Sequence, residues 1–351
     1  MSTVDLVVAG GGPAGLTTAI AARLAGMDVL VVEPHEGVID KACGEGIMPA
    51  GVEILRALGV PVRGLAFTGV RYVCGDLAAE GTFRRTSGLG VRRLVLHEAL
   101  RERAQELGVR WQRGTIDSLE GLPGRWLVGA DGLRSRVRAL LGVEVPPRRP
   151  RRFGMRRHFF VEPWTDRVEV HLARGVEAYV TPVAPDVVGI AFLFEPPGSW
   201  NALLASFPDL AAHIKGAYAA SAVRGAGPFE HRVSKRVKNN VLLVGDAAGY
   251  LDPLTGEGVA LGIQSAVEAV SAIVDGDPER YESRWRALVR THLALTSALL
   301  VVARHPALHR PFVAAARAVP SVFDRILSGP VSDRGGSALA SPGTLRGLPS
   351  T

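Results

Sequence analysis

The six residues Gly10-Gly11-Gly12-Pro13-Ala14-Gly15 constrain this chain more than any others. They follow a short apolar run, Val4 to Ala9, and open a helical pattern that continues to Ala25, after which a second apolar run spans Val29 to Val32. Strand, Gly-rich turn, helix and strand together make a βαβ unit. Within it Gly10 allows a tight turn, Gly12 lets the backbone approach a pyrophosphate, and Gly15 lets helix and strand pack closely. Pro13 and Ala14 stand in the first turn of the helix, whose unpaired N–H groups favour an anion. Glu33 ends the second strand, where a carboxylate accepts ribose hydroxyls and disfavours a 2′-phosphate. The pattern therefore predicts a Rossmann-type site for FAD or NAD rather than NADP.

Further along, Arg93 to Leu107 is helical in pattern, Trp126 to Val128 is a strand running into Gly-Ala-Asp-Gly, and Val241 to Val244 is a buried strand running into Gly-Asp. Gly64 to Gly90 and Arg156 to Glu195 differ: β-branched and aromatic residues alternate between Pro and Gly, as in antiparallel strands. The reading is an α/β chain whose Rossmann-type domain, with a mixed, mainly parallel sheet, comes in three pieces, residues 1–63, 91–147 and 236–277. An antiparallel-sheet substrate domain, residues 64–90 and 148–235, is inserted between them. Residues 278–327 form C-terminal helices of weak amphipathicity, and the Gly/Ser/Pro-rich residues 328–351 are expected to be a flexible tail.

Two further motifs separate FAD from NAD through a resemblance. Gly129-Ala130-Asp131-Gly132-Leu133-Arg134-Ser135-Arg136-Val137-Arg138 resembles the Asp-Gly motif of the p-hydroxybenzoate hydroxylase superfamily of flavoproteins, and Gly245-Asp246-Ala247-Ala248-Gly249, with Pro253 and Gly256-Glu257-Gly258 downstream, resembles its Gly-Asp motif. The order matches the family's across all three pieces. The resemblance implies bound FAD, NAD(P)H as a transient reductant, and a site that includes Asp131, Gly245 and Asp246. Asp246 can accept a ribityl hydroxyl, while Pro253, Gly256, Gly258 and Val259 bring a helix N-terminus to the flavin edge where negative charge appears on reduction. Arg93 resembles the family's arginine on the pyrophosphate or adenosine half. Lys41 to Pro49, Lys-Ala-Cys-Gly-Glu-Gly-Ile-Met-Pro, resembles the segment that covers the flavin in the geranylgeranyl reductase branch, which puts Cys43 near the flavin unless it is an inert buried thiol.

The family contains two competing chemistries. One is NAD(P)H-dependent hydroxylation through a flavin C4a-hydroperoxide; the other is hydride delivery from flavin N5 to an isoprenoid double bond. Gly249 replaces the histidine usual in hydroxylases, and Asp-Pro-Leu-Thr-Gly-Glu-Gly is closer to the reductase branch. The length of 351 residues and the loose likeness of the substrate strands to that branch favour hydroxylation of an aromatic or polyketide-type molecule. Prenyl reduction is the alternative, and a membrane-surface electron-transfer flavoprotein is a reading from another class. No Trp-x-Trp-x-x-Ile run occurs, which disfavours halogenation. The catalytic candidates are Cys43, Glu45, His158 and Tyr179, with Arg157 as a further pocket-lining candidate. No metal is expected.

The partner is expected to be a small hydrophobic or aromatic molecule; the sequence leaves the oligomeric state open. Most of the net charge of +7 comes from arginine, clustered at Arg148, Arg149, Arg151, Arg152, Arg156 and Arg157. With Pro146, Pro147 and Pro150 between them, these read as a solvated connector. No nucleic-acid motif or interleaved aromatic accompanies them, so no nucleic-acid partner is expected. Two cysteines and no leader pattern point to the cytoplasm. The strongly apolar run Leu293 to Ala303 is shorter than the roughly 20 residues a bilayer needs, although Arg284, Arg286, Arg290, Arg304 and Arg310 around it suit peripheral contact with an anionic membrane.

Overall fold

A computed structural model describes residues 3–327. Its first sheet has six strands in the order Val237–Lys238, Val241–Leu243, Gly124–Gly129, Val4–Ala9, Val29–Glu33 and Arg110–Arg113. All neighbours are parallel except the first pair. Val8 lies between Val31 and Val128 and all three are buried. Helices Pro13–Leu24 and Gly258–Val274 pack on each other, and Arg93–Glu106 packs beside the first. Burial on both faces explains why these strands read as continuous apolar runs rather than as alternation.

The strands around Val4–Ala9 end together. Gly10 N–H donates to the Val32 carbonyl (2.8 Å), Ala130 N–H to Ala9 (2.8 Å) and Val244 N–H to Gly129 (2.9 Å). Three loops that lie far apart in sequence therefore leave from one edge, outside the carboxyl ends of the strands, where open α/β sheets bind ligands.

The second large sheet has seven strands: Arg224–Ala226, Phe153–Phe160, Val187–Phe194, Val176–Ala184, Val168–Ala173, Gly69–Cys74 and Leu77–Thr82. It is antiparallel with one exception, because Val168–Ala173 runs parallel to Gly69–Cys74. A parallel neighbour needs a long crossover, and here the chain passes through the first sheet between the two strands. Leu65–Phe67 and Gly88–Gly90 do not join this sheet; Gly88–Gly90 pairs with Leu65–Phe67 on one side and Gly46–Ile47 on the other in a small sheet of their own. Short helices Trp200–Leu204 and Pro208–His213, absent from the sequence reading, cover one face, with Trp200 edge-on to Phe192 at 4.7 Å.

The opposite face meets three C-terminal helices, Arg280–Arg304, Pro306–Ala318 and Pro320–Leu327. Tyr72 on the sheet packs edge-on against Phe312 (5.2 Å) and Phe323 (5.8 Å). Prolines at 306 and 320 occupy the first turns of the second and third helices, where a missing N–H costs nothing. The apolar run Leu293 to Ala303 is only part of its helix. Among the described residues, the 25-residue Arg280–Arg304 helix is long and apolar enough by length and composition to cross a membrane, and 28% of its most apolar window is buried. The expected flexible tail, residues 328–351, lies outside the described residues.

The arginine cluster is a solvated connector only in part, at the exposed Arg148 and Arg151. Arg152 and Arg156 are buried, at 5% and 2% exposure. Arg156 lies on the inward side of Phe153–Phe160 with His158, and Arg157 lies on the other side. A charge is tolerated there because each arginine meets carboxylates from distant segments, as described below.

Candidate active site

The Gly-rich turn is shaped for a close neighbour. Gly10 adopts φ +103°, and a Cβ there would stand 2.6 Å from the Ala130 carbonyl oxygen; a Cβ on Gly15 would stand 1.9 Å from the Gly10 carbonyl oxygen. Neither position admits a side chain. Pro13 opens the helix, Ala14 lies 2.9 Å from the Cβ position of Gly245, and Gly12 faces the Arg93 guanidinium, 3.9 Å from its own Cβ position. Glu33 accepts from Gly11 N–H (2.7 Å) through one oxygen and from His35 N–H (3.0 Å) and the His35 ring (2.7 Å) through the other. Burial alone would raise the Glu33 carboxyl, but these donors bring it below the ordinary range.

The Asp-Gly loop is held by its own helix. Asp131 accepts from the backbone of Arg136 (2.7 Å) and Val137 (3.1 Å), and Ser135 caps the same helix through Arg138 N–H (2.9 Å). Arg138, 2% exposed, links this loop to the Gly-Asp loop. Its guanidinium donates to the carbonyls of Leu133 (2.6 Å), Asp246 (3.4 Å) and Ala247 (3.4 Å), and it pairs with Glu144 at 3.0 Å.

Three polar groups at this edge lack partners. Arg93 Nη1 and Asp131 Oδ1 are buried without a hydrogen bond, and the Asp246 carboxylate makes none among the described residues. Burial pushes the Asp246 carboxyl up to about 6 against the charges of Lys41, Arg93 and Arg138. Buried orphans of both signs around a glycine cradle suit a ligand with phosphates and hydroxyls, so the residues present fit FAD.

Lys41 to Gly46 spans this edge. Lys41 is exposed and within electrostatic reach of Glu33 and Asp246. Cys43 is half-buried; burial and the Glu45 charge raise its thiol, with Arg93 opposing, so it stays protonated. Glu45 adopts φ +61°, a left-handed conformation that strains a non-glycine residue. Its carboxylate accepts from Arg93 N–H (2.8 Å) and pairs with the buried His158 ring, which meets the Ser221 hydroxyl at 2.9 Å. Arg156 pairs with Asp40 and lies 3.6 Å from Glu45. Arg157 is not brought to this group: it donates to the Ser221 carbonyl and lies over Phe159.

The Gly-Asp loop continues through Asp252 to Gly258, and it is clamped from two sides. Tyr179 O–H donates to the Leu254 carbonyl (2.8 Å). Asp252 caps Leu254 N–H (3.1 Å) and pairs with the buried Arg152 (3.0 Å), which also pairs with Glu177. Burial raises the Glu177 carboxyl to about 7 against the Arg152 charge. From the C-terminal side, His292 pairs with Glu257 and meets the Thr255 hydroxyl at 3.3 Å. Pro253 and Gly256 bound the turn, Val259 packs on the main core, and the open side of Gly258 faces the Tyr250 ring.

Sequence reasoning missed Arg138 as a staple, Arg152, Glu177, Asp252 and His292 as loop clamps, and His97. The His97 ring, 1% exposed, meets the Gly11 carbonyl at 2.8 Å and accepts from Ile39 N–H at 3.3 Å. Burial, helped by Arg93 and Arg101, lowers it to about 4. The available signal was a set of lone ionisable residues inside apolar stretches, such as Glu177 in Val-Glu-Ala-Tyr-Val.

Beneath Leu254 lies a small apolar cavity between the seven-stranded sheet and the C-terminal helices, walled by Tyr72, Val170, Leu172, Leu299, Val302 and Phe312. Glu177 and Tyr179 also reach it, but both are committed, to Arg152 and to Leu254.

The FAD binding domain family matches residues 3–116. Dialkyldecalin synthase of Streptomyces rugosporus is 30% identical over 75% of this chain, and the chain spans 63% of that protein's length. Menaquinone reductase of Mycolicibacterium smegmatis is 28% identical over 83% of this chain and 81% of its own length. The chain belongs to the p-hydroxybenzoate hydroxylase-like superfamily of FAD-dependent oxidoreductases. Within that superfamily, the anhydrotetracycline hydroxylase OxyS of Streptomyces rimosus shares the fold at a TM-score of 0.69, with 24% identity over 93% of this chain and 76% of its own. The cofactor of this flavoprotein is FAD.

Proposed function

We propose that this flavoprotein uses NAD(P)H to reduce a carbon–carbon double bond in an apolar, prenyl-like substrate. The observation that carries the reading is that a menaquinone reductase and two digeranylgeranylglycerophospholipid reductases are each matched over about four-fifths of their own length.

Two further facts support it. Gly249 stands where hydroxylases carry histidine, and the menaquinone reductase is matched over 81% of its own length, against 61% for the anhydrotetracycline 6-monooxygenase of Streptomyces rimosus at the same 28% identity. Hydroxylation of an aromatic or polyketide-type molecule is the second reading, favoured by that monooxygenase and by the OxyS fold.

FAD held by the Gly10–Gly15 turn, Glu33, Arg93, Asp131 and Asp246, once reduced by NAD(P)H, would supply the hydride for one carbon of the double bond. The chain keeps a proton on the Cys43 thiol, beside Glu45 and Arg93 at the flavin edge, for the other carbon. The loop clamps Tyr179, Asp252 and His292 fix the distance between the two halves of the site.

Enzyme reduced anaerobically and then given a geranylgeranylated lipid tests this. Reoxidation without oxygen, with a product heavier by two hydrogens per reduced bond, is expected, and Cys43→Ala should slow that step on the order of 10²-fold with FAD content unchanged. No anaerobic reoxidation, together with incorporation of labelled O₂ into an aromatic substrate, overturns the reading in favour of hydroxylation.

A further inference from the structure

Between Glu282 and Asp324 the chain contains no Asp or Glu, while it carries six arginines, at 284, 286, 290, 304, 310 and 317. This stretch comprises most of the three C-terminal helices. Their outward side is apolar. Val301, Leu308, Val319, Val322 and Ile326 are exposed, from 39% at Leu308 to 52% at Val301. On the Pro306–Ala318 helix the exposed Leu308, Pro311, Ala315 and Ala318 recur at three- and four-residue spacing and so form one stripe. Arg310 and Arg317 stand at its border, and Arg325 flanks Val322 and Ile326 on the last helix.

Some of these arginines are spent on internal pairs: Arg284 with Glu268 and Asp275, Arg286 with Glu282, Arg304 with Glu195, and Arg310 with Asp76. Arg290, Arg317 and Arg325 are exposed and make no ion pair among the described residues. The Arg280–Arg304 helix is also apolar toward the interior, where Leu299 and Val302 wall the cavity, each next in sequence to the outward Ala298 and Val301. An ordinary surface helix would place polar residues on that outer side. Apolar stripes bordered by arginines, with the one acid of the last two helices, Asp324, held inward by Thr82 N–H (2.8 Å), have the chemistry of an interfacial helix on an anionic bilayer.

We infer that the solvent side of the three C-terminal helices is a docking surface for an anionic lipid bilayer. The exposed aliphatic side chains enter the headgroup region and Arg290, Arg317 and Arg325 meet lipid phosphates. The surface rests on exposure and charge alone and holds whether the reaction is reduction or hydroxylation, so its failure and the failure of the proposed reaction are separate events.

The test is flotation of the FAD-loaded protein with vesicles of mixed phosphatidylglycerol and phosphatidylcholine, against vesicles of phosphatidylcholine alone. Co-flotation with the anionic vesicles, weakened by salt, is expected. The double variant Val322→Asp/Ile326→Asp should bind at least about tenfold more weakly, and Arg317→Glu/Arg325→Glu should lose the salt-sensitive part, each with unchanged FAD content and melting temperature. The inference is overturned if the wild type stays at the bottom of the gradient with both vesicles. It is equally overturned if the aspartate variant floats as well as the wild type, or if the wild type self-associates through this side, abolished by Val322→Asp/Ile326→Asp, without binding vesicles.

Discussion

At the carboxyl edge of the six-stranded sheet nearly every loop is fixed by a named polar side chain, whereas the cavity beneath Leu254 is walled by side chains that offer shape and little else. Arg138 ties two loops through three hydrogen bonds to their carbonyls, and His97 holds the Gly11 carbonyl. On the other side Tyr72, Val170, Leu299, Val302 and Phe312 present only carbon and ring surface to the space they enclose. A dinucleotide has many polar atoms in a constant arrangement, so its site is built from preorganised donors and acceptors. The small cavity has no such arrangement: it is closed by apolar burial, with the polar clamps placed behind its surface rather than in it.

This contrast can be broken in graded steps. The largest effect is expected from Arg138→Met, which leaves the Leu133, Asp246 and Ala247 carbonyls and Glu144 without their donor. Breaking one partner of a buried charge network costs about 3–5 kcal/mol, so the variant should melt far earlier and purify with little FAD, read by calorimetry and flavin absorbance. A variant that keeps both would show that the two loops hold their places without the staple.

A smaller effect comes from His97. Its folded value of about 4 lies below the ordinary histidine value, so between the two the unfolded chain binds a proton that the native chain refuses. Stability contributed by the neutral ring is complete above the ordinary value and is lost as the pH falls toward 4, on the order of 2 kcal/mol in all. Melting curves across this window should show the loss in the wild type and a flatter profile in His97→Gln. Identical profiles would remove His97 as the acid-sensitive group.

The smallest effect is expected from Tyr179→Phe, which removes one hydrogen bond to Leu254 and costs about 1 kcal/mol. FAD content should be unchanged, while kcat/KM for substrate falls because the Pro253–Gly258 turn that leads into the Gly258–Val274 helix loses a clamp. Loss of FAD instead would place Tyr179 with the polar side of the molecule.

The same contrast explains what could be read from the sequence. Gly10 to Gly15, Asp131 and Asp246 stand in short contiguous motifs whose geometry is local, so residue type and spacing suffice. Arg152 and Arg156 could not be read as buried, because their partners Glu177, Asp252 and Asp40 come from other segments, and a cluster of arginines between prolines is usually solvated. The parallel entry of Val168–Ala173 beside Gly69–Cys74 was hidden for a related reason: strand alternation reports the buried face and not the neighbour. The C-terminal helices were visible as helices, but their outward apolar stripes became evident only once the inward faces were known.

The account depends most on the convergence of three separate loops on one FAD. Equilibrium titration of flavin-free protein with FAD, followed by fluorescence, tests it directly in the wild type, Arg93→Met and Asp246→Ala. One FAD per chain is predicted for the wild type, with affinity at least about tenfold weaker in each variant, as expected for loss of a charged hydrogen-bonding partner. Unchanged affinity and stoichiometry in both variants would contradict it.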